Sequence, residues 1–243
     1  MPSRKHTIAL ELGPIREAVE TLRRRSSLSR EHPDGCSIYP IAPGSMVKYF
    51  APLRLKKGWT IRGFIFGHFM GHTMLPFGLP RNVKLPSPDR RLLTPDAAWK
   101  GLSRLGALKD YMAIVEGDGS AASYLLASIL SREIAQIGAF WHGLHWRTHV
   151  LLESDPWKAG PFVPYSDWPM SPRREWSLVA ARPRTWKPSV TFVPGRQPVV
   201  SFYSLSARDG EAIYVHQDTF GGDGMSFTST ENVIATGGGG YML

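Results

Sequence analysis

The sequence predicts an α+β protein, in which a long central helix packs against a mostly antiparallel C-terminal sheet and the N-terminal half is mixed. Three observations lead there. Leu126, Leu130, Ile134, Ile137, Trp141 and Leu144 recur at helical spacing along one arc. From Trp176 onward, short β-branched or aromatic runs such as "SVTFVPG", "PVVSFYSLS" and "EAIYVHQDTF" are separated by turn residues. Hydrophobic residues make up 42% of the 243-residue chain and charged residues 20%, a balance that buries an ordinary core and excludes a disordered chain.

The elements follow in order. "GPIREAVETLRRR" is a helix with Pro14 in its first turn and Ile15, Val19 and Leu22 on one buried stripe. "WTIRGFIF" is a strand, because three glycines at 63, 67 and 71 would each cost a helix about 1 kcal/mol, and a glycine-rich loop is expected after it. "TPDAAWKGLSRLG" is a short helix capped by Thr94. The central helix is expected from about Ser120 to about Leu152, ahead of Pro156. Asp209-Gly210 suits a two-residue hairpin turn, which sets Arg208 opposite Glu211, Tyr203 opposite His216 and Ser201 opposite Asp218. The chain reads as one domain, 1–243, with Pro156 offering a split into a helical and mixed lobe (1–155) and a β-rich lobe (156–243).

Composition also bounds the setting. Cys36 is the single cysteine, so no internal disulfide forms and a reducing, cytoplasmic location is the expectation. No apolar run is long enough to span a membrane, and no secretory leader is readable in "MPSRKHTIALELGP". Walker, GxGxxG, GxSxG, HExxH and CxxC patterns are absent.

Three functional readings remain. The first takes the formal charge of +9, and the lack of any Asp or Glu from Gly35 to Pro88, as the mark of a basic protein that binds nucleic acid or an acidic protein surface. Lys56, Lys57 and Arg62 are its anion-binding candidates, and the interleaved aromatic residues could stack bases. The second is a metal-dependent or acid–base enzyme. On a helix, His142 and His145 of "FWHGLHWRTH" could converge on a divalent metal with His149 nearby, while His216, Asp218 and Tyr203 form an acid–base group on the hairpin. The third is a structural or assembly subunit, resting on the proline- and tryptophan-rich stretch 156–188.

Overall fold

The computed structural model describes residues 4–25, 37–68, 71–85, 94–137, 146, 149–158, 177–206 and 212–237. In chain order the elements begin with β1 (His6–Ala9), α1 (Gly13–Arg25), β2 (Ser37–Ile41), β3 (Arg54–Leu55), β4 (Trp59–His68) and β5 (Gly71–Pro80). They continue with α2 (Pro95–Arg104), β6 (Val115–Glu116), α3 (Ala121–Ala135) and β7 (His149–Leu152). The last are β8 (Ser177–Leu178), β9 (Ser189–Phe192), β10 (Val199–Ser206), β11 (Ala212–Phe220) and β12 (Phe227–Thr236). Short 3-10 turns lie at Pro43–Tyr49 and Tyr111–Ile114. No helix among the described residues is long and apolar enough to cross a membrane.

The expected long central helix is not there, and the protein is mostly sheet. Ser120 does cap α3, its Oγ accepting from Ser123 N at 3.2 Å, and Leu126, Leu130, Ile134 and Ile137 are core. The helix nevertheless ends at Ala135, and by His149 the chain is a strand paired with β10. The physical reason lies in β7: Val150, Leu151 and Leu152 gain backbone partners and burial as a strand, while Trp141 and Leu144 of the expected stripe lie outside the described residues. The helical periodicity simply runs on past the point where pairing becomes the better solution.

Two compact units divide the chain: one draws on residues 1–17, 143–221 and 227–243, the other on residues 18–142 and 222–226. The first is built on an antiparallel sheet ordered β1-β9-β10-β11-β12-β8. β7 also pairs with β10, along Tyr203–Ser206, on the edge whose other end, Val199–Ser201, pairs with β9. One face of this sheet carries Leu152, Trp186, Leu205, Ile213, Ile234 and Ala235, with Trp157, Tyr203 and Val215 packed against them. At the start of α1, Leu12 N and Arg16 both bond the Glu153 carboxylate, so this acid serves the helix.

In the second unit β2, β4 and β5 form a three-stranded antiparallel sheet, and β3 pairs with β6. The stretch from Gly71, expected as loop, is the return strand of a hairpin, since Thr73, Leu75, Phe77 and Leu79 alternate along it. α2 forms as read, with Thr94 Oγ1 accepting from Ala97 N at 3.2 Å, and its Ala98 and Leu102 close over Phe64, Phe66, Phe77 and Leu79. α3 is buried nearly all round. It holds the fully buried Glu133, which Arg23 of α1 binds through Nε at 3.2 and 3.1 Å and through Nη2 at 2.6 Å. Tyr111 Oη donates to Ser131 O at 2.9 Å, tying the second 3-10 turn to the same helix.

Two outcomes are expected. Arg23→Ala removes the charged partner of a buried carboxylate and should cost about 3 kcal/mol in urea denaturation, while Arg23→Met with Glu133→Leu should stay close to the parent. An Arg23→Ala variant as stable as the parent would show that the pair contributes nothing. Burial pushes the Tyr111 phenol up to about 12. Because the folded state favours the protonated phenol, its contribution is complete below the unfolded value near 10 and is lost as pH rises from there to about 12. Alkaline melting curves should therefore fall over that window, and Tyr111→Phe should flatten the fall while costing about 1 kcal/mol at neutral pH.

Candidate functional site

The site grows out of β10. Ser204 lies in the C-terminal half of this strand, opposite Tyr214 of β11 and Leu151 of β7. Phe202, two residues back and so on the same face, is opposite His216, and His216 is opposite Glu231 of β12. Alternation along four neighbouring strands thus sets His149, Ser204, His216 and Glu231 on one side of the sheet. Ser204 Oγ lies 2.9 Å from His149 Nδ1 and 2.7 Å from His216 Nε2. On its other nitrogen, His216 Nδ1 lies 3.0 Å from Glu231 Oε2, at ion-pair distance though off the axis of a linear hydrogen bond. The four groups form a chain, Glu231 to His216 to Ser204 to His149.

Burial differs along that chain. Ser204 and His216 are 0% exposed, His149 is half-buried, and the Glu231 side chain is 48% exposed. Aromatic rings seal the middle: Phe202 stacks on His216 with centroids 4.7 Å apart, and Trp146 meets the same ring edge-on at 5.5 Å. Tyr214 stacks on His149 at 5.5 Å. Burial, and then the Glu231 carboxylate, raise the Tyr214 phenol above its ordinary value, so it stays protonated beside the histidines. Among apolar rings an unbonded imidazole nitrogen would be costly, and the Ser204 hydroxyl answers one nitrogen of each histidine.

A hydroxyl has one proton, so Ser204 donates to one histidine only while accepting from the other. The tautomers of His149 and His216 are therefore coupled. Turning the hydroxyl over, with a proton entering at one ring and leaving at the other, moves a proton along the chain without moving a heavy atom.

The structure sorts the residues singled out by sequence. His142 and His145 lie outside the described residues. His149 is on β7 rather than on a helix, so the helical spacing that suggested a three-histidine metal site does not apply to it. Among the described residues no group of three His, Cys, Asp or Glu side chains is placed to hold a metal ion. His216 and Asp218 share the buried face, but Tyr203 does not: it pairs with Val215 and packs on the opposite side, where burial raises its phenol. The hairpin register is one residue away from that expected, with Ser206 opposite Ala212 and Tyr203 opposite Val215; the Asp209-Gly210 turn lies outside the described residues. A one-residue slip exchanges faces, and His216 gains Phe202 and Ser204 in place of Tyr203.

Ser204 and Glu231 were not legible as site residues, since each depends on that register. The one available signal was the spacing of Ser204 and Ser206 with Phe202 and Val200, polar and apolar side chains on a single face. Lys56, Lys57 and Arg62 are exposed in the second unit. Of the rings that accompany them in sequence, Phe50, Phe64, Phe66 and Phe77 are core, while Tyr49 and Trp59 are half-buried.

No family model matches the chain, and neither a curated protein nor a solved structure matches it significantly.

Removing the shared hydroxyl takes a partner from the fully buried His216 ring and from the half-buried His149 ring at once. Ser204→Ala should cost about 2 kcal/mol or more by denaturant unfolding, beyond the net worth of one hydrogen bond, and Ser204→Thr should recover part of it. A loss of only a few tenths would mean that the histidines find other partners.

Proposed function

We propose that the protein is an acid–base catalyst in which His149 is the reacting group and Ser204, His216 and Glu231 relay its proton. The observation that carries this reading is the Ser204 hydroxyl held between His149 Nδ1 and His216 Nε2, in a chain whose ends are more exposed than its middle. In the forward direction His149 Nε2 takes a proton from a substrate, and its Nδ1 proton passes to Ser204 Oγ. The Ser204 proton passes to His216 Nε2, and the imidazolium so formed is held by the Glu231 carboxylate. Running the relay backwards makes His149 a general acid. Tyr214, kept protonated on the His149 ring, fixes the plane of the reacting imidazole.

A second reading has its own observation. Serine, histidine and carboxylate stand in the order of a nucleophilic triad, with Ser204 Oγ 2.7 Å from His216 Nε2 and Glu231 on the far nitrogen. Full burial of Ser204 weighs against direct attack on a substrate, which is why the relay is preferred.

Histidine titration followed by nitrogen-15 NMR tests the relay. In the parent the His149 and His216 curves should each be biphasic, because each ring feels the other's proton through Ser204. In Ser204→Thr the coupling should persist, and in folded Ser204→Ala the two curves should become independent. Turnover in a panel of proton-transfer and ester substrates should vanish in His149→Gln while melting is retained. Independent curves in the parent would end the relay reading, and covalent labelling of Ser204 by a fluorophosphonate would favour the nucleophile.

A further inference from the structure

We propose that the end of the β4–β5 hairpin where Lys56, Lys57 and Arg81 meet, extended along β4 by Arg62, binds the phosphate backbone of double-stranded nucleic acid without reading its sequence. The backbone brings these cations together. Lys56 O accepts from Trp59 N at 3.1 Å, closing a turn in which Gly58 takes φ +82°, and Gly58 O accepts from Arg81 N at 2.9 Å. The Arg81 side chain crosses the same strand end, its Nε donating to Trp59 O at 2.9 Å, so its guanidinium is fixed beside the lysine turn. Trp59 pairs with Pro80 and Arg62 with Phe77, which continues the basic edge by three residues along the strand.

All four cations are exposed, and among the described residues no ion pair engages any of them. The contrast is with Arg54 on the adjoining β3, which is paired with Glu116 at 3.0 Å. Since the chain has no Asp or Glu from Gly35 to Pro88, no carboxylate of this segment can neutralise the turn. Like charges gathered at one strand end repel one another, and a row of phosphates removes that repulsion.

Charge decides which nucleic acid. Single strands are held by successive bases stacking on exposed aromatic side chains, whereas Phe50, Phe64, Phe66 and Phe77 are committed to the core and Trp59 at the turn is half-buried. Clustered cations are matched best by a duplex, which carries one negative charge per ~1.7 Å of axis.

The test is fluorescence anisotropy of the full chain with a labelled duplex of about two helical turns, between ~50 and ~200 mM salt. Duplex should bind more tightly than a single strand of the same length, with a steep fall in affinity as salt rises. The triple variant Lys56→Gln, Lys57→Gln, Arg62→Gln should melt like the parent and lose about one unit of log–log salt slope for each contact removed. Lys100→Gln with Arg104→Gln, two exposed cations on α2, should change neither slope nor affinity. Absence of duplex binding at ~50 mM salt, or an unchanged slope in the triple variant, would overturn the proposal. So would tighter binding to a polyglutamate peptide or to phosphatidylserine vesicles than to duplex.

Discussion

Strand β10 is bonded along both edges, to β11 on one side and to β9 and then β7 on the other, and residues on both of its faces are buried. A polar side chain that is fully buried on such a strand, as Ser204 is, must be answered inside the protein. On one face the answer is apolar, with Leu205 among Trp186, Ile213 and Leu152. On the other, Ser204 is answered by two imidazoles, and the second of these by a carboxylate that reaches toward solvent. The chain of contacts from Glu231 to His149 is thus the consequence of placing a fully buried serine on a strand paired along both edges.

The same enclosure explains what sequence could and could not disclose. α1, α2 and the start of α3 depend on local signals: Pro14 in a first turn, Thr94 and Ser120 as caps, and apolar spacing that turns up in the core as expected at Ile15, Val19 and Leu22. Such signals act over one or two turns and are legible. The end of α3 is not local. Leu151 and Leu152 satisfy a helical stripe and a strand equally well, and only pairing with Tyr203 and Ser204 decides between them.

Register was lost for a related reason. A half-buried hairpin announces its register, because one face must be apolar, but β10 is apolar on both faces: Val200 and Phe202 on one, Tyr203 and Leu205 on the other. Turn chemistry then had to carry the decision, and a two-residue turn at Asp209-Gly210 implies a register one residue away from the one that pairs Ser206 with Ala212. His216 was singled out for its chemistry, yet its partners followed from the slip. That His149 reaches it through Ser204 required a strand where a helix was expected.

Both units are assembled from pieces far apart in the chain. β1, near the N-terminus, pairs with β9, where Thr7 faces Thr191, and Met225 N donates to Met112 O within the second unit, with Met225 buried. Gly224, at φ +57°, allows that approach, since a Cβ there would stand 2.5 Å from Ala113 O. During synthesis the ribosome has therefore emitted almost all of the second unit long before the segment that completes it. At ~5–20 residues per second, Met112 waits on the order of ten seconds for Met225, and β1 waits longer still for its neighbour. Neither unit can therefore complete its packing on the ribosome until those late segments have emerged.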